Sequence, residues 1–185
     1  AFDRTVALAE ATGVRLELRP VLPMVMRGVP ATRTKGMYIF FDAAREARAA
    51  NVPFDKFYDP IGDPARNGYS LYRWACTQGK GVAMFSALLG CAFAEGVNLN
   101  RERGLRRAVE RAGLDWAQAK QALGDESWQD ELEANRLDMY DSGLWGVPSY
   151  RLLDASGKEI LALWGQDRLW SVSYTHLRAH ETTSH

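Results

Sequence analysis

Two short segments near the C-terminal end carry the residue types and spacing on which chemistry could be built. The first, Trp145-Gly146-Val147-Pro148, stands directly before a strand-like run. Proline at a strand entrance removes a ladder donor, so it either begins an edge strand in the trans form or fills a special role in the rarer cis form. The second, Trp164-Gly165-Gln166-Asp167-Arg168-Leu169, stands where a strand should give way to a helix. A helix N-terminus there offers free backbone N–H groups to a carboxylate, and Asp167 offers a carboxylate to an ammonium. Asp167 is equally suited to capping the helix and pairing with Arg168 or solvent.

Much other chemistry is excluded. All three histidines, His176, His180 and His185, fall in the last ten residues. Triads of the Ser-His-Asp or Cys-His kind are ruled out unless the tail folds back, as are most zinc and iron sites. Cys76 and Cys91 are fifteen residues apart and form no C-x-x-C pair; their ordinary reading is as apolar residues buried on helices. Asp125, Glu126, Asp130, Glu131 and Glu133 read as a solvated helix face rather than a metal site. Arg101, Arg103, Arg106, Arg107 and Arg111 read as an exposed stripe balanced by Glu102 and Glu110 rather than a nucleic-acid patch. Trp74, Trp116, Trp128, Tyr69 and Tyr72 read mostly as core, with some suited to wall an apolar substrate cleft.

Composition agrees with an ordinary globular chain. Its 185 residues are 46% hydrophobic and 25% charged, with a formal net charge of zero. A neutral balance gives no long-range attraction to nucleic acid or anionic lipid. No run of about 20 apolar residues indicates a membrane span, and no signal peptide is visible.

The elements that must position the two segments follow from periodicity. Ala1 to Thr12 has helical apolar spacing and stops at Gly13; Arg15 to Leu22 alternates as a strand, bounded by Pro20 and Pro23. Val25 to Pro30 reads as loop, Thr34 to Asn51 as a helix, and the proline-rich Asn51 to Asn67 as a long connection. Helical patterns return over Tyr69–Gln78, Val82–Glu95, Glu102–Ala112, Asp115–Leu123 and Trp128–Ser142, with Asn100 as a candidate cap for the third and Asp115 and Asp125 near later starts. Ser149–Leu153 and Glu159–Trp164 then read as a hairpin around Asp154-Ala155-Ser156-Gly157. Residues 171–185 are polar, lack helical apolar spacing, and are expected to be a non-native or disordered tail.

Gly143 to Tyr150 (GLWGVPSY) and Leu163 to Leu169 (LWGQDRL) together resemble the 2-hydroxychromene-2-carboxylate isomerases and kappa-class glutathione transferases, relatives of the DsbA oxidoreductases. Weaker matches are Arg19-Pro20-Val21-Leu22, Lys35 with Tyr38, Asp42 and Arg45, and Ala92-Phe93-Ala94-Glu95-Gly96. The resemblance runs over almost all of Ala1 to Trp170. It implies an α/β fold: a thioredoxin-like part in residues 1–24 and 143–170, a large all-helical insertion in 25–142, and a first strand missing from this chain. It implies a cytoplasmic protein, often a homodimer, that binds glutathione and a small hydrophobic substrate, with no nucleic-acid or membrane partner. It places Lys35, Val147, Pro148, Gln166 and Asp167 at the glutathione site. Val147–Pro148 would be cis, with the Val147 backbone pairing to the cysteinyl backbone of glutathione and Asp167 taking the γ-glutamyl ammonium. No catalytic residue is assigned. The family's thiol-activating serine, or the C-x-x-C of DsbA relatives, is expected upstream of Ala1, so the chain as given is expected to be inactive. The activity implied is a glutathione-dependent isomerase or transferase acting on a hydrophobic or aromatic electrophile. The alternatives are a thiol–disulfide oxidoreductase and a non-catalytic thioredoxin-like module.

Overall fold

Helix α1 (Phe2–Thr12) ends where Gly13 takes φ +68°, the left-handed turn that glycine adopts without steric cost. Phe2, Thr5, Val6 and Ala9 form its half-buried face. The computed structural model in which these features are seen describes residues 1–181, the last six as backbone. Contacts divide it into two units. One comprises Ala1–Val21 with the chain from Leu132 onward, the other Leu22–Glu131. The second half of the helix expected to close the insertion therefore belongs with the strands.

Residues 14–20 depart from expectation. Val14, Leu16 and Leu18 are half-buried and Pro20 is buried, while Arg15, Glu17 and Arg19 are exposed. The alternation is real, yet the segment belongs to no sheet. Alternation reports one-sided burial, which an extended segment achieves against a helix without a ladder. Among its anchors, Arg19 meets Asp138 at 2.6 Å, and Asn135 donates to the Pro20 carbonyl at 2.9 Å.

The second unit is helical. After a 3-10 turn at Met24–Arg27, where a loop was expected, come α2 (Arg33–Ala49), α3 (Asp63–Thr77), α4 (Gly81–Phe93), α5 (Glu102–Arg111) and the short α6 (Trp116–Ala119). Thr32 caps α2, accepting from the Lys35 N–H at 3.2 Å. Helix α3 starts six residues earlier than the sequence indicated, because Pro64 falls in its first turn, where a missing N–H costs nothing. Asp115 caps α6 as expected, accepting from Gln118 at 3.0 Å; Asn100 does not cap α5, whose N-cap is Arg101. The core gathers Leu71, Met84, Cys91, Leu105 and Val109, each buried side chain stabilising the unit by roughly 2 kcal/mol. Tyr72, Trp116 and Trp128 are buried with them, and burial pushes the neighbouring Tyr69 hydroxyl up to about 12. Gly104 is a point of close approach, since a Cβ there would lie 2.1 Å from the Asn98 carbonyl oxygen.

Helix α7 (Trp128–Asp141) leads into the first unit, where β1 (Ser149–Leu153) and β2 (Glu159–Trp164) form a two-stranded antiparallel sheet within the limits read from sequence. The turn is held by Asp154, whose carboxylate accepts from the N–H groups of Ser156 at 2.8 Å and Lys158 at 3.0 Å. A 3-10 turn (Gln166–Arg168) opens α8 (Leu169–Glu181). The segment after Trp170, expected to be non-helical, thus continues a helix as far as Glu181. Buried Leu169 and half-buried Val172 and Ser173 anchor it, and an anchored helix adds one hydrogen bond per residue as it extends. The expectation for residues 182–185 lies outside the described residues.

Candidate functional site

The segment leaving α7 is fixed before it reaches the site. Gly143 turns at φ +71°, and buried Leu144 donates its N–H to the Met139 carbonyl at 3.0 Å. Trp145 then emerges, 62% exposed. Its ring meets that of Trp164, the last residue of β2, with centroids 4.4 Å apart and planes tilted by 41°. The Trp164 ring lies across Gly146 so closely that a Cβ there would sit 2.4 Å from its Nε1. Glycine is the residue this approach requires.

Val147 follows, 65% exposed, and the Val147–Pro148 peptide is cis. Among the described residues, no group pairs with the Val147 N–H or C=O. The Pro148 carbonyl accepts from the Gly165 N–H at 3.0 Å, so the two segments singled out from sequence lie side by side. Gly165 has φ +105°, a conformation nearly restricted to glycine, and a Cβ there would lie 2.5 Å from Asp167 Oδ1 and 3.3 Å from an Arg168 guanidinium nitrogen. Arg168 donates to the Trp164 carbonyl at 2.8 Å. Asp167 makes no cap bond and no ion pair among the described residues, and it is exposed. Gln166 is held from α1, its Oε1 accepting from Arg4 at 3.0 Å.

The first unit therefore brings together Val147, Pro148, Gln166 and Asp167. Lys35 lies on α2 of the other unit, exposed, near the helix start. Ser149, the hydroxyl nearest along the chain, donates to the Gly146 carbonyl at 2.5 Å and is thereby engaged. Neither cysteine belongs here. Cys76 is exposed at the end of α3, and Cys91 is buried on α4. Burial pushes the Cys91 thiol above its ordinary range and Glu95 adds to the push, against Arg111 and Arg107. The aromatics read as possible cleft walls all lie in the helical unit, in or against its core. Sequence reasoning missed the Trp145–Trp164 pair; its signal is that both segments begin with Trp-Gly.

Among the described residues, what the arrangement offers is an open main-chain donor and acceptor at Val147, an unpartnered carboxylate at Asp167 and an amide at Gln166. These suit a small zwitterionic peptide. The Val147 groups can pair with a peptide backbone, as an exposed strand edge does, and the carboxylate can take an ammonium.

No curated protein matches the chain. Among solved structures, a 2-hydroxychromene-2-carboxylate isomerase superposes with a TM-score of 0.75 at 17% identity, over 99% of this chain and 90% of that one. At that identity the likeness speaks for a shared fold. The model of the DSBA-like thioredoxin domain matches residues 1–175. With that match over nearly its whole length, the chain belongs to the DSBA-like thioredoxin domain family.

Proposed function

We propose that this protein is a glutathione-dependent isomerase or transferase whose first unit holds glutathione between Val147 and Asp167. The observation that carries the reading is the Gly165-to-Pro148 backbone bond, which sets an unpaired main-chain edge beside an unpartnered carboxylate. Val147 orients the peptide backbone of the ligand, Asp167 takes its ammonium, and Gln166, steadied by Arg4, adds a polar contact. Bound there, glutathione would supply a thiolate that adds to a hydrophobic or aromatic electrophile, permits bond rotation or ring opening, and leaves. No side chain is assigned to activate the thiol. A cytoplasmic setting and a homodimer belong to the same reading. Among the described residues no helix is long and apolar enough to cross a membrane.

A second reading, thiol–disulfide exchange, is favoured by the family to which the chain belongs. It needs a C-x-x-C pair, and neither exposed Cys76 nor buried Cys91 provides one. An insulin-reduction assay separates the two readings.

The test is a titration with reduced glutathione followed by calorimetry. Asp167→Asn should weaken binding about two- to fivefold, the worth of one solvent-exposed ion pair. Equal affinity in the parent chain and in Asp167→Asn refutes the reading.

A further inference from the structure

We propose that Trp145 determines substrate specificity at this site, its open indole face being the surface on which a planar, conjugated ligand stacks. This rests on the glutathione reading, because it places the second ligand beside the Val147 edge.

Three features carry it. Trp145 is 62% exposed, although an indole is among the largest apolar surfaces a side chain can bury. The ring is nonetheless braced: Trp164 backs it at 4.4 Å, and Trp164 is itself laid across Gly146. A braced, exposed aromatic ring offers contact area with little ordering cost on binding. Finally, Trp145 is two residues from Val147 in sequence, and Trp164 immediately precedes Gly165. The ring pair thus spans the two segments that frame the proposed peptide site. The flat ring selects for shape. Offset stacking rewards a planar π-system and gives nothing extra to a puckered ring of equal size.

The probes are naphthalene-2-carboxylate and its saturated, puckered analogue, which carry the same charge. Binding is followed by calorimetry and by the indole N–H signals in NMR spectra. The planar probe should bind the parent chain about tenfold more tightly than the puckered one. Trp145→Leu should abolish that preference, and Trp145→Phe should restore most of it. An undiminished planar preference in Trp145→Leu overturns the proposal, as does a leucine variant equal to the phenylalanine one. Should the variants fold poorly, the unaltered chain still decides: the Trp145 indole signal must shift with the planar probe, and a shift confined to other indoles refutes the stacking. Failure of the glutathione reading shows elsewhere, as an Asp167→Asn variant that binds glutathione like the parent.

Discussion

Gly165→Ala perturbs the proposed site at its hinge, and the structure bounds its effect. At φ +105° an alanine is strained by about 1–3 kcal/mol if the backbone holds its course. The new Cβ would also meet Asp167 Oδ1 at 2.5 Å, but that contact is with the free end of an exposed side chain, which can swing away. The alternative is for the backbone to relax, which sacrifices the 3.0 Å bond from the Gly165 N–H to Pro148 and about 0.5–1.5 kcal/mol with it. The chain adopts the cheaper course, so the expected loss is about 0.5–1.5 kcal/mol. In urea, at a slope near 2 kcal/mol per M, this lowers the tryptophan-fluorescence midpoint by about 0.3–0.8 M. Gly157→Ala is the control. Its φ is +84° and nothing lies within 4 Å of its Cβ, so it carries a comparable strain at a turn remote from Asp167 in sequence. Both variants should lose similar stability, and only Gly165→Ala should lose glutathione affinity, because either course displaces Asp167. If the two variants bind glutathione equally well, the link from Gly165 geometry to ligand binding is wrong.

Gly104→Ala should destabilise the helical unit by at least about 3 kcal/mol, because the Cβ would lie 2.1 Å from a carbonyl oxygen and backbone cannot step aside. Gly68→Ala, whose Cβ would meet only Leu88 side-chain atoms at 3.5 Å and beyond, should stabilise α3 by about 0.5–1 kcal/mol; equal urea midpoints for the two variants would contradict both. With iodoacetamide at pH 8, exposed Cys76 should alkylate quickly. Cys91, buried and with its pKa raised, should react only after denaturant is added, as peptide mass spectrometry will show. The Asp154 carboxyl is held below its usual range, first by the Ser156 hydroxyl and then by the Lys158 N–H. Its contribution to the hairpin is therefore present above the ordinary aspartate pKa and lost as pH falls through the lower folded value. Stability of Asp154→Ala should match the parent in acid and fall short of it at neutral pH.

How legible this was from sequence depends on what each pattern reports. The hairpin was read within its limits because alternation, an Asp-x-x-Gly turn and strand-forming residues all point the same way over Ser149–Trp164. Helix α1 was legible because Gly13 supplies a stop signal that nothing competes with. Arg15–Leu22 misled because the alternation records which side is buried and is silent on what pairs with the backbone. The start of α3 was hidden by prolines, which mark a loop in one position and a first helical turn in the next. Helix α8 was missed because its polar sequence has weak spacing beyond Val172, whereas its continuation depends on an anchor at Leu169 that only packing defines. At the site, Val147, Pro148, Gln166 and Asp167 were read from motif and resemblance. The Trp145–Trp164 contact depends on register, Ser149 opposite Trp164, and that could be found only once the strands were paired.

The division of aromatic residues between the two units bears on what kind of chemistry is open to this chain. Trp116, Trp128 and Tyr72 are buried in the helical unit, where they contribute packing. Trp145, Trp164 and Trp170 of the other unit are all exposed, and two of them stand at the proposed site. A protein that exposes indoles retains an apolar surface its own fold does not cover, and such surface beside convergent polar groups marks a ligand site. The polar groups present are a main-chain edge, an amide and a carboxylate, with no histidine within residues 1–175 and no C-x-x-C pair. These groups are suited to binding and orienting a ligand; under the proposed function that ligand is a thiol peptide, with an apolar electrophile on the surface beside it. If the chain bound the planar probe but no thiol peptide, the two halves of this argument would separate and the site would be a binding module alone.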